Sequence, residues 1–239
     1  MRRFHLPKAA KIALFSVIGI GLAFVALMGF AHTKAGRPLL ALMGRHGVMK
    51  GKCPLGYDVA QTPEQKEAAR QRFAAVHHGD TRAVARPALG FVLDRTTRDD
   101  VLAWAKAHAV SCTIPKSGAD LDCSNVPDAL LPDADRGAFV RNLWLYFGEK
   151  DTLISVIAVR RDKSAEAISR TFGNVSVDLS KEAGPPATVD GDASASRLSS
   201  GLLQQASIEY RFRNYYALAR ATNMGDGYVL TEEYRSLPD

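Results

Sequence analysis

The residues of this chain best equipped for chemistry are three cysteines, Cys53, Cys112 and Cys123, and the adjacent pair His77-His78. The stretch 110–126 reads as a strand, a Ser117-Gly118 turn and a returning strand, with the glycine free to take the positive φ of a tight hairpin. If Ser117-Gly118 is the two-residue loop, Cys112 stands opposite Cys123 and Ile114 opposite Leu121. Opposed Cα atoms of an antiparallel pair lie about 4.5–5.5 Å apart, within reach of a disulfide. Two free, buried thiols are the alternative, and an oxidising compartment would favour the bridge. Cys53 is left without an evident partner, either joining two copies of the chain or sitting inert in a turn.

The other groups point away from catalysis. Successive helical residues diverge by about 100°, no Cys, His or carboxylate stands at metal spacing around His77 and His78, and a histidine at a helix C-terminus is favoured by the dipole, so ligand or general-base duty is the less favoured alternative. His108 also closes a predicted helix. Asp133-Ala134-Asp135-Arg136-Gly137 begins like a calcium loop, but its twelfth position would be Trp144 where a Glu is required. Tyr210-Arg211-Phe212-Arg213 interleaves bases with aromatics, yet strand alternation puts the aromatics on one face and the arginines on the other. No Gly-x-Ser-x-Gly, His-Glu-x-x-His or Cys-x-x-Cys motif is present, so no catalytic, cofactor-binding or metal residue is assigned. An enzyme would need a site assembled from scattered residues, such as Asp226, Asn223, Arg220 and His108.

The elements that would position these residues are legible from caps and periodicity. Thr62-Pro63-Glu64-Gln65 is an N-cap, a first-turn proline and a capping-box Gln, predicting a helix to His78 with a thin stripe of Ala69, Phe73 and Val76. Residues 82–87 read as a linker. Thr97, followed by Asp99 and Asp100, starts a second helix running to about His108, with Val101, Ala105 and His108 on one face, flanked by Leu102 and Trp104. Residues 143–147 are apolar on both faces and predict a central strand, pairing with 153–159. Ser164 opens the longest helix, in which Ala165, Ile168, Phe172, Val175 and Leu179 recur every three or four residues until Gly184-Pro185-Pro186. Residues 188–200 read as a loop, and 206–222 and 228–235 as two last strands. Helix-then-strands occurs twice, which predicts an α+β fold, an antiparallel sheet with helices on one face, in one domain or two fused halves.

The charge is distributed unevenly. The formal charge is +6, but nine basic residues and no acid precede Cys53, while the rest holds 22 basic and 25 acidic side chains. The basicity therefore belongs to the N-terminal segments and the body is mildly acidic, which argues against a nucleic-acid footprint there. Between the basic flanks, residues 12–31 carry no charge. Twenty helical residues span roughly 30 Å, a bilayer's hydrocarbon core, and the run exceeds the usual signal-peptide core. It reads as a single-pass anchor, with cleavage after Ala31 as the alternative. Lys52 before Cys53 excludes a lipobox. A slight excess of positive charge before the span places the N-terminus in the cytoplasm and the body outside it. The expected order is a basic tail (1–11), the transmembrane anchor (12–31), a basic juxtamembrane linker (32–58), a helix and linker (59–87), and two α+β halves (88–161 and 162–239).

The stretch Gly90-Phe91-Val92-Leu93-Asp94-Arg95-Thr96-Thr97-Arg98-Asp99-Asp100-Val101, followed by Leu143-Trp144-Leu145-Tyr146-Phe147 and Leu153-Ile154-Ser155-Val156, resembles the SmpA/BamE-like and β-lactamase-inhibitor-like small domains. In those a turn leads into a helix opening on an acid and Val, and an aromatic strand turns into a second strand. The likeness covers about 70 residues and implies a non-catalytic envelope domain that binds other proteins. This chain departs from it in lacking a lipobox, in its long hairpin at 110–126 and in a second helix-and-strand half. The sequence-level expectation is thus a membrane-anchored, extracytoplasmic interaction module, without metal or cofactor and with an unknown protein partner.

Overall fold

A computed structural model of the chain describes residues 62–115, 119–131 and 139–238. Residues 12–31, Cys53, the Ser117-Gly118 turn and the Asp133–Gly137 stretch lie outside the described residues. Among the described residues no helix is long and apolar enough to cross a membrane.

Eight strands form one wholly antiparallel sheet. In chain order they are β1 (Ser111–Thr113), β2 (Leu121–Val126), β3 (Val140–Phe147), β4 (Leu153–Asp162), β5 (Thr188–Asp190), β6 (Gln205–Arg211), β7 (Tyr215–Asn223) and β8 (Tyr228–Ser236). Their order across the sheet is β1-β2-β3-β4-β8-β7-β6-β5. Two four-stranded meanders thus meet along their last strands, from Ser155 opposite Arg235 to Asp162 opposite Tyr228. Among the described residues four α-helices accompany them: α1 (Pro63–His77), α2 (Arg98–Ala107), α3 (Ala165–Ala183) and the short α4 (Ala195–Leu198). A helix precedes each meander, α2 the first and α3 the second.

The helices begin where their caps dictate. Thr62 with Gln65, and Thr97 with Asp100, close reciprocal capping boxes, and Ser164 accepts from the Ala167 amide to start α3. α3 ends at Gly184, whose φ of 88° an L-residue adopts poorly. Its buried face is Ala165, Ile168, Thr171, Phe172, Val175 and Leu179, and it packs on β4, β7 and β8.

Alternation assigns the two faces of the sheet. Tyr215, Ala217, Ala219 and Ala221 of β7 point into the main core with Ile168 and Val175 of α3 and Val101 of α2, while Tyr216 and Leu218 join a second cluster with Phe73 and Ala74 of α1 and Leu237. The main core is continuous through both meanders, from Leu121 and Leu143 to Ile208 and Tyr210.

Several sequence expectations are corrected. The helices do not all lie on one face, because α1 packs on the side opposite α3. The inward stripe of α1 is Phe73, Ala74 and His77, and Val76 is 70% exposed. Residues 206–222 are two strands, β6 and β7, since Phe212, Arg213 and Asn214 make a tight turn closed by the Phe212 amide donating to the Tyr215 carbonyl at 2.9 Å. The stretch 188–200 holds β5 and α4. Residues 82–87 are no free linker: the Ala83 amide donates to Asn214 Oδ1 at 2.9 Å, and the Tyr215 hydroxyl to the Pro87 carbonyl at 2.6 Å. β3 alternates instead of burying both faces, with Leu143, Leu145 and Phe147 buried and Trp144 and Tyr146 half-buried.

Candidate functional site

The disulfide expected from sequence is present. Cys112 pairs in register with Cys123 and the two sulfurs are bonded. The bridge closes a short loop and fixes the three-residue edge strand β1 to β2, with Cys123 fully buried. The register ends at Thr113, so Ile114 does not reach Leu121; it projects at 79% exposure.

The four scattered residues of the enzyme alternative are not brought into one site. Asn223 and Asp226 belong to the β7–β8 hairpin, beside a shallow cleft of about 430 Å³ that Lys163 and Tyr228 also line. The Asn223 amide is committed to the fold, donating to the carbonyls of Leu198 (2.9 Å) and Gly201 (3.0 Å), while its Oδ1 accepts from the Gly225 amide. Arg220 is exposed on the opposite face of β7 from the main core. His108 caps α2 and lies against Trp104, at the β1 edge of the sheet. Among the described residues no group of three His, Cys, Asp or Glu could hold a metal ion.

The groups the structure does gather were missed by the sequence reading. The first set is buried in the main core. Arg160, 0% exposed, donates through Nε to Glu232 (2.6 Å), also 0% exposed, and through NH1 to Asp128 (2.5 Å), while the Tyr234 hydroxyl donates to the other Glu232 oxygen at 2.6 Å. Burial works against the charge on Arg160, but the two carboxylates outweigh it and hold its pKa above the ordinary value. Arg160 and Glu232 lie on adjacent central strands as diagonal neighbours two positions apart in register, so the pair ties β4 to β8 and the turn at Asp128–Leu130 to both.

The second set lies on the other face of the sheet, which α1 crosses at one end. Lys66 is paired with Asp120 before β2, and Arg70 donates to the Ser236 carbonyl (3.1 Å) and hydroxyl (2.8 Å) at the end of β8. Phe73 meets the Tyr216 ring edge-on at 5.0 Å and stacks on His77 at 4.2 Å. His77 Nδ1 lies 3.3 Å from Glu209 Oε1. Burial opposes ionisation of Glu209, but bonds from Arg211, Tyr216 and His77 outweigh it and keep its carboxyl below the usual glutamate range. Burial, reinforced by that bond to Glu209, pushes the Tyr216 phenol well up. A carboxylate orienting an imidazole is a geometry a general base can use, but here the ring is stacked on Phe73 and meets Tyr216 edge-on. The cluster fastens a helix.

Beyond α1 the same face continues over Trp144 of β3, Ile157 of β4, and Val229 and Thr231 of β8, all half-buried. The signal that could have found this face was the period-two spacing within residues 140–162 and 215–236. It was obscured because both faces of these strands are rich in apolar residues.

No family model, curated protein or solved structure matches the chain.

Proposed function

We propose that this chain is a membrane-tethered, non-catalytic binding module of a cell envelope, held by residues 12–31 with its N-terminus in the cytoplasm and its body outside, and that it engages a protein partner through the sheet face opposite α3. The observation that carries the reading is the asymmetry of the sheet. One face is sealed by α2 and α3 over a continuous core, while the other is crossed by α1 at one end and carries half-buried Trp144, Ile157 and Val229 beyond it. Apolar side chains on a partly covered face suit protein recognition. The Cys112–Cys123 bridge suits an oxidising compartment, and the uncharged twenty-residue run suits a bilayer. The resemblance of residues 88–161 to SmpA/BamE-like domains points the same way.

Two measurements test it on the full chain. In intact cells, an impermeant thiol reagent is expected to label the partly exposed Cys112 only after reduction; ready labelling without reductant, and only in permeabilised cells, would refute the location. A photo-crosslinking residue at position 157 is expected to form a discrete protein adduct that the same residue at 177, on the exposed side of α3, does not. Equal or absent adducts would refute the binding face.

A further inference from the structure

Resting on the reading of the sheet face as a protein-binding surface, we infer that α1 is a displaceable strap over a docking strip, and that the strip fits a basic amphipathic helix of another protein, for which α1 is the resident substitute. The contact face of α1 is a single stripe, Lys66, Arg70, Phe73, Ala74 and His77, at positions i, i+4, i+7, i+8 and i+11. Its apolar part is small: Phe73 and Ala74 against Tyr216, Leu218 and Leu237, with Ala74 the one residue of the helix, among those described, that is buried. The remainder is polar, and includes the hydrogen bonds from Arg70 to the Ser236 carbonyl and hydroxyl. Lys66 meets Asp120, Arg70 meets Asp94 at 3.3 Å, and His77 meets Glu209.

Each of these acids also has a cation on the body. Asp120 has Arg98 at 3.8 Å, Asp94 has Arg86 at 2.7 Å, and Glu209 has Arg211 at 2.7 Å. Under Phe73 lies Arg235, 4.4 Å from the ring centroid and itself paired with Glu233. Departure of α1 therefore strands no buried carboxylate, and the large penalty for an uncompensated charge does not oppose it.

The chain also marks where the strap would pivot. His78 is extended, and immediately after it the Gly79 amide donates to the Phe212 carbonyl at 3.2 Å, with the glycine pressed so close to the Arg211 carbonyl that no Cβ would fit. The Arg213 amide then donates to the Thr81 carbonyl at 2.6 Å. From Gly79 onward the backbone is pinned to the β6–β7 turn, and α1 lies N-terminal to the pin. A competing helix would carry Lys or Arg at i and i+4, an aromatic at i+7 and a small residue at i+8, the helix-in-groove mode of recognition.

The probe is a fluorescent synthetic peptide with the sequence of residues 62–78, titrated into the full chain in detergent and followed by anisotropy. Expected are saturable binding, at least tenfold tighter binding to the Phe73→Ala and Arg70→Gln chains whose own strap is weakened, and loss of binding when the peptide carries Lys66→Glu and Arg70→Glu. Amide exchange is expected to show α1 opening in a sub-global step while α3 stays protected in all chains, which separates a loosened strap from an unfolded body. Absence of binding to all three chains, with α1 amides as protected as those of α3, would overturn the inference; a crosslink at position 157 would still support the binding face. Dimers formed by exchange of α1 between copies would overturn the assignment to another protein.

Discussion

At the scale of single residues, the costliest feature of the molecule is the charge in its core. Arg160 and Glu232 are both fully buried, so each compensates the other's charge, with Asp128 and the Tyr234 hydroxyl as further partners. Arg160→Met should cost about 3–5 kcal/mol, because it removes the cation that compensates the buried Glu232 carboxylate. The double variant Arg160→Met/Glu232→Leu should recover most of that loss in urea unfolding, since an apolar pair of similar volume often replaces a buried ion pair at little cost. Equal destabilisation of single and double variants would show that the pair contributes through shape or Tyr234 instead of charge. Glu209 supplies a pH-dependent counterpart. Its carboxyl is held below the ordinary value in the folded protein, so its contribution is complete above the unfolded pKa of about 4.3 and is lost as pH falls through the lower folded value. The stability difference between wild type and Glu209→Gln should therefore shrink steadily from pH 5 to pH 2 in denaturant titrations. A difference that widens on acidification would contradict this assignment.

At the scale of elements, caps and periodicity were strong where one principle acted alone. Ser164 and the recurrence from Ala165 to Leu179 fix both ends and the inner face of α3, because a long helix with one buried side leaves an unambiguous signal. The register of Cys112 with Cys123 followed from turn length, although the turn itself lies outside the described residues. The failures are as specific. β6 and β7 read as one strand because their turn, Phe212-Arg213-Asn214, contains no glycine or proline and keeps the aromatic-basic alternation of the strand before it. In α1 the expected Phe73 does face inward, but Val76 does not and Ala74 takes its place, because the contact face also includes Lys66, Arg70 and His77, to which hydrophobic periodicity is blind. The buried Arg160–Glu232 pair had no signal at all, since each residue alone looks like an ordinary strand position. Ser164→Ala should lower stability by about 1 kcal/mol through loss of the α3 cap, read as a lower melting temperature. Val177→Ala, on the exposed side of the same helix, should change it by less than about 0.5 kcal/mol.

At the scale of the whole molecule, repetition of a helix and a meander raises the question whether the body is one cooperative unit or two. Each meander ends in a strand, β4 or β8, whose outer edge would be unpaired without the other, and eight consecutive residues of each are in register across that seam. The core is shared as well, since the buried side chains of β2 and β3 form one cluster with those of β6 and β7. The Arg160–Glu232 pair crosses the same seam, so separating the halves would also expose two charges that are otherwise matched. Three independent costs thus fall on one interface, and the described body should open as a single unit apart from α1. Leu143→Ala, in the first meander, removes a fully buried side chain and should cost about 2–5 kcal/mol. If the seam couples the halves, native-state amide exchange should show the most protected amides of β6 and β7 losing protection by the same free energy as those of β2 and β3. A loss confined to β2 and β3 would mean that the second meander holds its core by itself, and that the central seam is a docking surface between two separately stable halves.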